Sequence, residues 1–164
     1  MVHVPERRRN GRSHAERAAC GQALELAWTR GSNRILLVDC IPDEQSMYTE
    51  YLEHAGLAPV VACDGAAAFQ HAASAQPDVV VVDLGIDPGN MLTLLQQLRA
   101  DSRTRDAPII AISGHVFPKD QAEATRAGCD VFLAKPCPPE TLLTEIVRLV
   151  KRTAEAASAR PSMP

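Results

Sequence analysis

Five short β-branched and aliphatic runs alternate with five helical stretches between residues 34 and 152, and no other feature of the chain restricts its fold as much. The runs are "RILLVD", "APVVAC", "DVVVVDL", "PIIAIS" and "DVFLAK". Helices are expected at Asp43 to His54, Ala66 to Ala75, Met91 to Arg99, Lys119 to Ala127 and Pro139 to Lys151. The last carries Leu142, Leu143, Ile146, Leu149 and Val150 at spacings of three and four, the stripe of a helix buried along one side. Strand–helix alternation repeated this way is the pattern of a parallel sheet with helices on both faces. The third and fourth runs are apolar on both faces, as central strands of such a sheet must be. Gly56, Gly65 and Gly128 follow or separate helices where a turn is needed.

The flanks differ from this middle. Residues 1–33 contain "PERRRNGR", basic and polar, and then "SHAERAACGQALELAW", a stretch able to form a helix opened by Ser13 but weakened by Gly21. This segment is expected to be a flexible N-terminal extension, with an Arg-rich partner-binding arm as the sharper reading. Residues 153–164, "TAEAASARPSMP", read as a disordered tail. Hydrophobic residues make up 46% of the chain, enough to bury a real core between these flanks. A net charge of −3 is too mild to argue for nucleic-acid binding. No apolar run approaches the roughly 18 residues of a membrane span, and no secretory signal is present, so a cytoplasmic protein without a membrane partner is expected. The five cysteines show no C-x-x-C pair, which favours free thiols over a disulfide framework or a zinc site.

In an open doubly wound sheet, chemistry gathers at the carboxyl ends of the strands. The residues there are Asp39-Cys40, Asp83, Ser113-Gly114 and Lys135-Pro136. Two carboxylates, a hydroxyl and a lysine on one edge suit a phosphoryl group. A carboxylate can accept it as an acyl phosphate, a divalent cation can neutralise its oxygens, and the lysine and hydroxyl can hold them. Any one of these residues alone is an ordinary loop residue; four in register are harder to explain by chance.

On these residues, and on "RILLVD", "ACDGAAAF", "QPDVVVVDL", "APIIAISG" and "AGCDVFLAKP", the chain from about Arg34 to Arg152 resembles the receiver domain of two-component response regulators. The resemblance implies a receiver domain over residues 34–152, an α/β fold with a doubly wound five-stranded parallel sheet in the flavodoxin-like order 2-1-3-4-5. It implies that Asp83 is the phosphoacceptor, Ser113 the switch hydroxyl, Lys135 the phosphate-facing lysine and Phe132 the switch aromatic. It further implies magnesium held by Asp39, Asp83 and the backbone carbonyl of Gly85.

Two departures qualify it. The second acid of the family's pair falls at Cys40, a poor ligand for a hard cation, so magnesium binding should be weak. After Asp83, the family's Pro and Gly positions read Asp87 and Met91, with Pro88 shifted by one. Asp87 is then either a compensating carboxylate or, more ordinarily, a solvent-facing loop acid. Cys40 reads as a small half-buried replacement, with a redox pairing to Cys137 as the sharper alternative. Phe132 also fits simple core filling.

The function expected is a phosphoacceptor receiver, phosphorylated on Asp83 by a histidine kinase or histidine phosphotransfer protein and signalling through contacts with an output protein rather than with nucleic acid. It is not expected to be an enzyme beyond magnesium-assisted self-phosphorylation and dephosphorylation of Asp83. About twelve residues beyond the last helix are too few for an output domain. The alternative is a pseudo-receiver, an interaction module working without phosphorylation because the metal site is degenerate at Cys40. A haloacid-dehalogenase-like phosphatase would need Asp-x-Asp where "DCI" stands, and a flavin binder a Ser/Thr-rich loop in place of "CIPDEQ".

Overall fold

The computed structural model describes residues 33–159. Apart from Asn33, the expected N-terminal extension lies outside these residues. The elements run β1 (Arg34–Val38), α1 (Pro42–His54), β2 (Ala58–Ala62), α2 (Gly65–Ala75), β3 (Val79–Asp83), α3 (Pro88–Ala100), β4 (Ile109–Ser113), α4 (Pro118–Ala127), β5 (Val131–Ala134) and α5 (Pro139–Ser158). All neighbouring strands are parallel, in the order β2-β1-β3-β4-β5. This is the doubly wound parallel sheet expected from the alternation, in the flavodoxin-like order that the resemblance implies.

The period-two geometry of the strands divides the core in two. Ile35, Leu37, Val79, Val81, Ile110 and Ile112 face α1 and α5, meeting Tyr48, Leu52, Leu142 and Ile146. Leu36, Val38, Val80, Val82, Ile109 and Ala111 face the other way, against α2, α3 and α4. Every residue of β3 and β4 is buried, whereas β2 and β5 are edge strands and partly exposed. Burying each Val, Leu or Ile side chain contributes about 1.5–3 kcal/mol, so the all-apolar runs place β3 and β4 inside the sheet rather than at its edges.

Some helix ends depart from the sequence expectation, each for a local reason. α3 begins at Pro88 rather than Met91, because Asp87 accepts the Asn90 N–H as an N-cap and Pro88 occupies the first helical position. α5 continues to Ser158, six residues into the segment expected to be a disordered tail. Ala154, Glu155, Ala156 and Ala157 are strong helix formers, and the next proline is Pro161. Gly65 does not end or separate helices; it opens α2 behind the Asp64 N-cap. Gly128 does what glycine allows: it closes α4 at φ 115°, where a Cβ would also lie 2.5 Å from Arg99 Cγ. The Arg99 guanidinium bonds the Gly128, Arg105 and Ala107 carbonyls and the Asp130 carboxylate, clasping α3 to the approach to β5.

Candidate functional site

The carboxyl edge of the sheet brings together residues from three strands and one helix. β1 delivers Asp39, whose N–H bonds the Ala62 carbonyl at 3.0 Å, tying it to the end of β2. The residue is 1% exposed, and its Oδ1 accepts the Ile41 N–H at 2.7 Å. β3 delivers Asp83, 3% exposed, with Oδ1 accepting the Gly85 N–H at 2.8 Å. Lys135 follows β5; its N–H bonds the Ser113 carbonyl at 2.8 Å, and its Nζ donates to Asp83 Oδ2 at 2.9 Å. The Lys135–Pro136 peptide bond is cis.

The same ammonium donates to Glu44 Oε2 at 2.6 Å, a contact absent from the sequence expectation. Glu44 sits in the first turn of α1, and the carboxylate oxygens of Asp39, Glu44 and Asp83 lie within 4.8 Å of one another. Burial pushes the Asp39 carboxyl above the usual range, and the Asp83 and Glu44 charges add to this, while the Ile41 bond and Lys135 offset part of it. For Lys135, burial alone would lower the pKa. Its bonds to Glu44 and Asp83, with their charges, prevail and hold it above its ordinary value.

Two buried carboxylates and a half-buried one gathered around a single ammonium are the hard donor set magnesium prefers. Asp39 Oδ2 accepts no hydrogen bond and joins no ion pair among the described residues, so the edge retains an anionic oxygen without a partner. The residues present therefore fit the cation, with Asp39 and Asp83 as the side chains that would hold it and Glu44 beside them.

Cys40 is half-buried, and its thiol donates to the Cys63 carbonyl. Burial, reinforced by the Cys63 bond and nearby charges, pushes that thiol up to about 11, so near neutral pH it is not a thiolate. Cys137 lies in the core cluster on the α1/α5 face, its carbonyl accepting the Tyr48 hydroxyl at 2.8 Å. The neighbour that engages the Cys40 sulfur is thus Cys63, not Cys137. Asp87 is exposed and engaged in capping, with Oδ2 bonded to Asn90 Nδ2 at 2.6 Å, so it is not the compensating carboxylate.

Ser113 is buried at the end of β4, and its Oγ accepts the His115 N–H at 3.0 Å. Phe132, paired in register with Ala111, is half-buried and packs on the α2–α4 side of the sheet. Sequence reasoning thus found Asp39, Asp83 and Lys135, which the fold brings together, and missed Glu44. A usable signal was present: Glu44, Tyr48 and Leu52 share one face of α1 at spacings of four, and the latter two are buried. An acid at the head of a buried stripe must face the strand ends.

Residues 35–147 match the response regulator receiver domain family. RpaA of Synechocystis sp., a DNA-binding dual master transcriptional regulator, is 32% identical over 120 residues, covering 73% of this chain and 50% of that protein. The phosphate regulon regulatory protein PhoB of Escherichia coli is 26% identical over 126 residues, covering 77% of this chain and 55% of PhoB. The chain therefore spans about half the length of these curated relatives. Among solved structures, the receiver domain of the sensor histidine kinase PA1611 from Pseudomonas aeruginosa, with magnesium coordinated in its active-site cleft, aligns with TM-score 0.66 at 26% identity. That alignment covers 71% of this chain and 96% of the other.

Proposed function

The chain belongs to the response regulator receiver domain family of two-component systems, and on that premise we propose that Asp83 accepts a phosphoryl group from a histidine kinase or histidine phosphotransfer protein. The observation that carries the reading is the Lys135 ammonium 2.9 Å from the Asp83 carboxylate at the carboxyl end of a central strand. An Asp83 oxygen attacks phosphorus as the donor's P–N bond breaks, and the electron pair of that bond returns to the leaving imidazole. Magnesium, when bound, neutralises phosphoryl oxygens and orients the donor. Lys135 then exchanges its Asp83 contact for a phosphoryl oxygen, and the Gly85 amide, bonded to Asp83 Oδ1, keeps the carboxyl oriented. The Gly85 carbonyl would be a further ligand for that metal, as the resemblance implies.

Ser113 and Phe132 carry the signal outward. The Ser113 hydroxyl turns to a phosphoryl oxygen, and Phe132 follows into the space released, altering the surface around β5, α4 and α5. A protein partner reads that surface. The DNA binding in the name of RpaA belongs to that protein, half of whose length lies outside the match.

The phosphorylation-independent module is not favoured over this reading. Cys40 removes one acid, yet three carboxylates and the lysine remain assembled. The test is acyl-phosphate formation from a small-molecule phosphodonor with magnesium, in the native protein and in Asp83→Asn.

A further inference from the structure

The site has lost an acid at Cys40 and holds a carboxylate on Glu44 that neither the strand-end positions nor the family resemblance predicts. From this geometry we infer that Glu44 replaces the missing acid: the third carboxylate for the divalent cation comes from the first turn of α1 instead of from the residue after Asp39. The inference rests on the reading of this edge as the receiver's metal site.

Three independent features support it. First, Glu44 is not doing what an acid at the third position of a helix ordinarily does. Such a residue reaches back to the N–H of the capping residue, here Ile41. That N–H is already given to Asp39 Oδ1, and Ile41 makes no side-chain cap. Glu44 is therefore available, and Lys135 draws its Oε2 toward Asp83.

Second, its neighbour Asp43 is exposed while Glu44 is half-buried, so the helix turns one acid to solvent and the other onto the strand ends. Pro42 at the head of the helix and the buried Tyr48 and Leu52 set this rotation. Third, the group across from it asks for a cation. Asp39 is 1% exposed, and its Oδ2 has no donor among the described residues. Lys135, the one ammonium in the cluster, is engaged by Asp83 and Glu44 instead. Magnesium tolerates a carboxylate bound directly or through one of its waters, so a donor arriving from a different backbone position serves the same ion.

Cys40 does not compete for this role. Its sulfur is turned away to the Cys63 carbonyl. The third carboxylate thus stands four residues beyond Cys40, in the first turn of α1.

The test is calorimetric titration of the 164-residue chain with magnesium alone, in the native chain and in Glu44→Gln, Asp39→Asn, Cys40→Asp and the double variant Cys40→Asp/Glu44→Gln. Circular dichroism melts in chelator establish that each variant is folded. Glu44→Gln should weaken magnesium binding about tenfold or more, as loss of a ligand or of its close support does. The double variant should bind at least as tightly as the native protein, a gain that misfolding cannot mimic. Repeating Glu44→Gln in a Lys135→Met background separates a ligand from a residue that merely steers the lysine, and the weakening should persist there.

The inference is overturned if Glu44→Gln binds magnesium as the native protein does while Asp39→Asn loses it, an outcome that leaves the site reading intact. It is also overturned if the weakening vanishes in the Lys135→Met background, or if the native chain binds no magnesium but Cys40→Asp does. Absence of binding in every protein overturns the metal site together with the inference.

Discussion

Lys135 Nζ lies 2.9 Å from Asp83 Oδ2, and this is the only ion pair Asp83 makes among the described residues. The carboxylate is 4% exposed at its side chain, and the lysine 21%. Removing the cation leaves Asp83 desolvated beside Asp39 and Glu44. Lys135→Met should therefore destabilise the magnesium-free protein by about 1–3 kcal/mol, less than for a fully buried pair because the lysine reaches solvent. Urea unfolding of the two proteins in chelator measures this. A variant as stable as the native chain would mean that the pair is cosmetic.

Ser113 is assigned to the response and not to the transfer. Ser113→Ala should still form the acyl phosphate on Asp83, since neither Lys135 nor the carboxylates depend on the hydroxyl. It should lose the structural answer to phosphorylation. Amide exchange across β5 and α4, compared before and after phosphorylation, should change in the native protein and stay flat in Ser113→Ala. A full response in the variant would remove Ser113 from the switch.

The thiols should separate by environment. Cys63 is exposed, Cys40 half-buried, and Cys129 and Cys137 buried. Alkylation at pH 8 followed by peptide mapping should, among the four thiols of the described residues, label Cys63 well before Cys40, Cys129 and Cys137. Because burial holds the Cys40 thiol at about 11, its labelling rate should climb about tenfold per pH unit toward that value as the thiolate fraction grows. Rapid labelling of Cys40 at pH 7 would show a thiolate and reopen its role beside the metal.

Much of this architecture was legible in the chain. Alternating runs of period two and stripes of period 3.6 gave the parallel sheet, and the strand ends gave Asp39, Asp83, Ser113 and Lys135 as neighbours. What escaped depended on helix phase and capping. Asp87 reads as a loop acid until its side chain is seen to start α3. The α5 terminus reads as tail because its Ala-rich turns lack an apolar stripe, although such residues propagate a helix already anchored by Leu149 and Val150. Glu44 was the costliest omission. Scanning only strand ends finds acids fixed by β-geometry, whereas this one is brought to the same point by the rotation of α1, readable only by following Glu44 to Tyr48 and Leu52.

The most direct test of the account is intact-mass analysis of the native protein and Asp83→Asn after incubation with acetyl phosphate and magnesium. A gain of one phosphoryl group in the native chain that is absent in Asp83→Asn and suppressed by chelator is the predicted result. No gain in the native protein, or an equal gain in Asp83→Asn, would contradict it.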